Sequence, residues 1–234
     1  MIDGGPDGGA VCRRLGDKLP YWDRTLELVI LTHSDADHVT GLVEVLRRYE
    51  VRQVITNGMG GGSAVYEEWL REVEKRGIEH TVVCVGQRIM LADDIVLEVI
   101  HPEAELLEDT VSDINNNSVV SRVVFGDFSL LLTGDIFEEA ERCLLDQSCS
   151  LGSVVLKVPH HGSGPSCCAR FLNAVDPQVA VISVSADNEF GHPAPEVVER
   201  LEEAVGEDNL YITSKHGTIE LITDGTRLWV RAEQ

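Results

Sequence analysis

The densest chemistry in the chain lies in His33-Ser34-Asp35-Ala36-Asp37-His38, where two imidazoles and two carboxylates fall within six residues. The run before it, residues 25–32 (TLELVILT), is nearly continuous in apolar side chains and ends in polar ones, as a strand buried on both faces does. A strand end is a rigid platform, and the turn after it can fold several side chains onto one point. Mixed imidazole and carboxylate donors suit Zn²⁺ or Mn²⁺, whereas an all-oxygen set suits Ca²⁺ or Mg²⁺. A polar loop whose aspartates cap the next helix accounts for one Asp, but not for two Asp and two His. The segment is therefore read as a divalent-metal site with His33, Asp35, Asp37 and His38 as ligands.

The elements that must hold this cluster follow from hydrophobic patterning. Residues 42–49 read as a helix and 51–56 as a second buried strand; a glycine-rich loop over 57–63 leads to a helix over 64–76 that Gly77 stops. Short strands are expected at 81–85, 88–91 and 95–100, then at 119–125 and 129–133 around the hairpin signal Gly126-Asp127. Helices at 137–146, 166–175 and 195–205 alternate with strands at 153–158 and 179–184, before strands at 210–213, 218–223 and 226–232. Alternation of this kind is the α/β pattern, most simply two mixed sheets with helices outside. With no repeat, linker or low-complexity tract, residues 1–234 read as a single domain.

Composition narrows the function classes. At 43 % apolar residues the chain can bury a full core, and no apolar run approaches the ~18–20 residues that span a bilayer, so the chain reads as soluble. Its 19 basic against 40 acidic side chains leave a net charge of −21, which argues against unspecific nucleic-acid binding through a basic surface. The six cysteines include no CxxC pair and read as free thiols of a reducing compartment.

HSDADH resembles the HxHxDH signature of the metallo-β-lactamase superfamily, with Asp35 where the second His usually stands. In the order that superfamily shows, Asp3 in Ile2-Asp3-Gly4-Gly5 resembles its early strand-end Asp, behind the ligands. Asp135 in LLTGD resembles its bridging Asp, and His160 in LKVPHHGS its last His ligand. The combination of HxDxDH, NNxS, LLTGD, LKVPHHGS and GHP is more specific. It resembles the soluble C-terminal domain of ComEC-type competence proteins, bacterial membrane proteins that take up DNA, and, more distantly, phosphorylcholine esterases.

That resemblance covers residues 2–224. It implies a four-layered αββα sandwich with two divalent metal ions, Mn or Zn, in the cleft between the sheets. With only two residues ahead of Asp3, the usual first strand is expected to be missing and the bared edge to favour self-association. The implied function is a metal-dependent phosphodiester hydrolase, a nuclease on single-stranded DNA linked to competence, as a domain of a membrane channel protein or free-standing. The alternatives are a phosphodiesterase on a small phosphoester and a metal-binding interaction domain without catalysis. His33, Asp35, Asp37, His38, Asp135 and His160 are the expected metal ligands, and Asp37, His161 and His192 the groups nearest the chemistry. Adjacent histidines at a strand end point different ways, so His160 takes the ligand position and His161 faces substrate. Asn115, in the polar run that replaces the superfamily's third-motif His, and Ser163 are the substrate-binding candidates; a turn before the next strand and a helix N-cap are their plainer roles. Asp35 in place of imidazole hardens the second metal position and tilts preference from zinc toward manganese.

Overall fold

The computed structural model describes residues 1–147 and 149–233. Its first half runs α1 (Gly8–Lys18), β1 (Thr25–Ile30), α2 (Ala36–Arg48), β2 (Glu50–Thr56), α3 (Ala64–Arg76) and β3 (Glu79–Val82). The strands form a parallel sheet in the order β1-β2-β3, and Ile2 adds a parallel bridge to Ile30 on the outer side of β1. Parallel neighbours need crossovers, which α2 and α3 supply. Helix α3 ends where its sequence stops it: it starts on the Ser63 cap and finishes at Gly77, whose φ of 63° is the left-handed conformation glycine adopts freely.

The second half begins β4 (Arg88–Ala92), β5 (Ile95–His101), α4 (Asp113–Asn116), β6 (Val120–Phe125), β7 (Phe128–Leu132), α5 (Glu138–Asp146) and β8 (Val155–Lys157). It continues α6 (Ala169–Val175), β9 (Val179–Ile182), α7 (Pro195–Val205), β10 (Leu210–Ile212), α8 (Thr213–His216), β11 (Ile219–Thr223) and β12 (Leu228–Ala232). Seven strands lie in the order β10-β9-β8-β7-β6-β5-β4. From β4 to β7 they are an antiparallel meander; from β7 to β10 they are parallel, joined by α5, α6 and α7, so this sheet is mixed.

Three apolar cores stack these parts as helix, sheet, sheet, helix. Val29, Leu31, Val51 and Val54 of the parallel sheet pack on Leu42, Leu46, Trp69 and Val73 of α2 and α3. Ile30 and Ile55, on its other face, meet Leu97, Val99 and Val119 of the larger sheet. Behind that sheet, Leu131, Leu156 and Ile182 pack on Leu144, Phe171 and Leu201 of α5, α6 and α7. The β11–β12 hairpin covers the rest of the inner face, setting Leu221, Leu228 and Val230 against Phe128, Val155 and Val179. The αββα expectation is met, and α3 and α7 occupy the expected residues.

Two departures concern the site. Helix α2 begins at Ala36 rather than Leu42, so Asp37 and His38 of the metal motif lie in its first turn, and His33, Ser34 and Asp35 lead into it. Helix α1 has no counterpart among the expected elements; its signal was Asp7, whose side chain accepts from the Gly9 and Ala10 amides at the helix start. No helix of the described residues is long and apolar enough to cross a membrane, and all six cysteines are unpaired.

Candidate metal centre

The motif gathers because β1 runs straight into α2. His33 and Ser34 leave the strand buried, Asp35 takes the N-cap position without using its carboxylate as a cap, and Asp37 and His38 follow in the first turn. The helix N-terminus there favours the negative charge of Asp37. Beneath it, Gly4 and Gly41 touch backbone to backbone, and a Cβ on either would collide with the other. That approach lets the Gly4 amide bond the His38 carbonyl at 2.8 Å and sets Asp3 under the His38 ring.

Asp135 and His161 arrive from the larger sheet, after β7 and β8. Oδ2 of Asp135 lies 3.3 Å from His38 Nε2 and 3.0 Å from His161 Nε2, and Asp37 Oδ2 lies 3.8 Å and 3.4 Å from the same two atoms. One donor atom from each of Asp37, His38, Asp135 and His161 falls within 4.8 Å of the others.

The imidazoles are oriented from behind. His38 Nδ1 donates to Asp3 Oδ2 at 2.8 Å, and His161 Nδ1 to the Ser183 carbonyl at 2.6 Å. His33 Nδ1 donates to Thr32 Oγ1 at 2.9 Å, and that hydroxyl donates on to Asp3 Oδ2 at 2.8 Å. With each Nδ1 so engaged, it is Nε2 that each ring turns into the cluster, where it can bind a cation once it gives up any proton it carries. Those three Nε2 atoms are buried and have no hydrogen-bond partner. Buried polar atoms are ordinarily paired, and metal-bound histidines ordinarily give their other nitrogen to a carboxylate or carbonyl. The donor set therefore fits a divalent ion.

Electrostatics agree. Asp3, Asp35, Asp37 and Asp135 set four carboxylates against one ammonium, Lys157, whose Nζ lies 3.5 Å from Asp135 Oδ1 and donates to the Gly134 carbonyl at 3.0 Å. Burial opposes charge on His38, but the Asp3 and Asp135 carboxylates outweigh it and raise the imidazole to about 10. Burial likewise opposes charge on His161, which Asp135 and Asp37 raise to about 9. The His161 imidazole, its Nε2 3.4 Å away, holds Asp37 at about 2 despite its own desolvation. Burial, reinforced by the His38 charge, pushes His33 down to about 4. The cluster is a sink for positive charge.

The remaining expected residues spread around this core. Asp35 is half-exposed, with Oδ2 3.6 Å from His33 Nε2, and burial and the Asp37 charge raise its pKa. Asn115 lies buried in α4 against Asp35, its Oδ1 accepting from Ser112 Oγ at 2.7 Å. His160 stands outside the four-donor cluster, its ring edge-on to Phe137 at 4.3 Å and to His192 at 5.7 Å. The structure thus brings His161, not His160, to Asp37 and Asp135. Strand alternation misleads there because β8 ends at Lys157; His160 and His161 both adopt left-handed φ values, 47° and 54°, in a tight turn. Ser163 is buried and donates to Ser166 Oγ at 3.1 Å, and α6 begins only at Ala169, with Cys168 rather than Ser163 at its N-cap position. His192 lines a cavity of about 590 Å³ together with Asp37, His38 and His161.

Thr32, Ser183 and Lys157 escaped the sequence reading. Lys157 alone left a signal, a cation inside the apolar strand before the histidines. Asn116 and Asn117 brace the site: Asn116 Oδ1 accepts the Phe137 amide at 2.9 Å, and Asn117 Nδ2 donates to the Leu107 and Asp113 carbonyls at 2.8 Å each.

Comparison with known proteins agrees with this geometry. The chain is 29 % identical over 197 residues to ComE operon protein 3 of Bacillus subtilis, and 33 % identical over 180 residues to competence protein ComA of Neisseria gonorrhoeae. These matches cover 84 % and 76 % of this chain but only 24 % and 23 % of the relatives, so the chain spans about a quarter of their length. The crystal structure of the metallo-beta-lactamase fold protein YhfI from Bacillus subtilis superposes with a TM-score of 0.55 at 12 % identity, covering 98 % of this chain and 86 % of that one. Residues 1–186 match the family model described as the metallo-beta-lactamase superfamily, and the chain belongs to that superfamily, whose members are in general metal-dependent hydrolases.

Proposed function

We propose that this chain hydrolyses phosphodiester bonds in a DNA strand, with divalent ions held by the cluster between the two sheets. The observation that carries the reading is the set of unpartnered, buried Nε2 atoms facing Asp37 and Asp135. Asp37, His38, Asp135 and His161 would hold one ion, His161 taking the role that strand-end position favours for His160. His33, Asp35 and Asp135 would hold the second, with Asn115 behind Asp35. Bound there, divalent ions supply a water acidified toward neutrality and offset charge on phosphoryl oxygens.

The chain's own residues do the rest. Asp3, Thr32 and the Ser183 carbonyl keep three imidazoles in the tautomer that leaves Nε2 free. Lys157 neutralises part of the carboxylate charge and fixes Asp135. His192, its backbone clamped on both sides by the Asn188 amide, stands beside the cluster where a leaving oxygen takes a proton. DNA as substrate is supported by one relative named as a competence protein and another named as a recombination protein.

A second reading, hydrolysis of a small phosphoester, is favoured by the net charge of −21 and by a cavity of about 590 Å³, the size of a small-molecule site. Turnover of labelled single-stranded DNA and of bis-p-nitrophenyl phosphate, with Mn²⁺ and Zn²⁺ in parallel, separates the two. Cleavage of the small ester alone sinks the nuclease reading, and no turnover of either sinks both.

A further inference from the structure

The loop between β9 and α7 carries a feature the metal cluster does not explain. Phe190 is 81 % exposed, although its backbone lies in a held turn. Asn188 Nδ2 donates to the Ser185 and His192 carbonyls at 2.8 Å each, while Asn188 Oδ1 accepts the His192 amide at 2.9 Å. The Phe190 ring lies nearly parallel to His192, at 5.8 Å and 18°, and His192 in turn stands edge-on to His160. One face of the phenyl ring is thus backed by imidazole and the other is open. Both Phe190 and His192 line the cavity that holds Asp37, His38 and His161.

Charge makes this placement informative. Among the described residues Lys157 is the one lysine or arginine lining that cavity, and it is engaged with Asp135. A polynucleotide approaching a chain of net charge −21 gains little from a basic groove. Aromatic stacking is the other general source of affinity for single strands; it needs no positive charge and tolerates any sequence, because every base has a π-face.

Resting on the nuclease reading, we propose that Phe190 is the base-stacking residue of a nucleotide subsite beside the metal cluster, its open face receiving the base next to the scissile phosphate. Steady-state cleavage of oligothymidylate and of an abasic oligomer of equal length, with Mn²⁺, tests it. Phe190→Ala is expected to raise KM on oligothymidylate about tenfold or more, with kcat and bound Mn²⁺ little changed, and to leave KM on the abasic oligomer as it was. Phe190→Tyr should restore KM and Phe190→Leu should not. An equal change on both oligomers, or none on either, overturns the proposal. So does a solution mass that falls in Phe190→Ala while KM stays constant, since the ring then serves contacts between copies. If the wild-type chain cleaves no DNA, the nuclease reading fails, and Phe190→Trp fluorescence still judges the subsite. Quenching by oligothymidylate but not by the abasic oligomer supports it, and equal or absent quenching overturns it.

Discussion

The two halves of the metal cluster are built to different standards. On the side of Asp37, His38, Asp135 and His161, four donor atoms converge from both sheets within 4.8 Å, and both imidazoles are held from behind by a direct acceptor. On the side of His33 and Asp35, the imidazole is fully buried and reaches Asp3 only through Thr32, while the Asp35 side chain is 42 % exposed and pairs with the amide of Asn115. One half carries four charged or imidazole donors, although its Asp37 side chain is itself 50 % exposed. The other carries two and is open in its ligand set, ending in a neutral amide, a weaker ligand. The first half should keep an ion through purification, and the second should fill only at higher metal concentration or with substrate present.

The largest effect should come from the residue the halves share. Asp135 sits between them, 2 % exposed, its charge held against burial by Lys157, His161 and His38. Asp135→Asn removes that charge while keeping the shape. Turnover should disappear and metal content fall by about one ion per chain or more. Elemental analysis finding two ions retained would show that Asp135 does not join the halves.

Asp3 supports both halves, through His38 directly and His33 by way of Thr32. Asp3→Asn should weaken metal affinity about 10–100-fold, the usual cost of losing a partner behind a histidine ligand. Competition with a chromogenic chelator measures it. A loss confined to one of two resolved binding steps would show that the Thr32 relay carries no weight.

Much of this division was legible in the sequence. Six residues after an apolar strand announced the ligands from the smaller sheet, because a strand that enters a helix projects neighbouring side chains to one point. The layers followed from alternating buried strands and helices, and α3 and α7 from clear start and stop signals. What stayed hidden depended on backbone turns. The choice between His160 and His161 is made by two consecutive left-handed residues, and no periodicity encodes them. The contact of Gly4 with Gly41 joins segments far apart in the chain, so Asp3 could be placed under His38 only by resemblance. Helix α1 was masked by a glycine-rich start, despite its Asp7 cap.

A smaller change should reshape the open half. Asp35→His replaces a hard oxygen donor with imidazole beside His33. Wild-type turnover should be higher with Mn²⁺ than with Zn²⁺, and the substitution should move that ratio toward zinc on the order of tenfold. Equal ratios in both chains would mean that Asp35 contacts no ion.

The smallest effect at neutral pH concerns what holds the open half in place. His101 Nε2 donates to the Asn116 carbonyl at 2.7 Å, anchoring α4 and with it Asn115, while its Nδ1 is buried with no partner. Burial pushes this imidazole from 6.5 down to about 4, since a second proton would sit on an unpaired nitrogen. Above pH 6.5 both the folded and unfolded chains hold His101 neutral, and the residue adds no pH dependence. As pH falls from 6.5 toward 4, the unfolded chain takes the proton first, so stability is lost through that window, on the order of 3 kcal/mol at its lower end. Carboxylates elsewhere titrate too, so the quantity to compare is the slope of unfolding free energy with pH, in metal-free wild type and in His101→Gln, which keeps a donor toward Asn116. The variant should lose that part of the slope whatever its stability at pH 7. Parallel slopes would mean that His101 is protonated in the fold, and that the anchor of α4 must be sought in the Asn117 bonds to Leu107 and Asp113 instead.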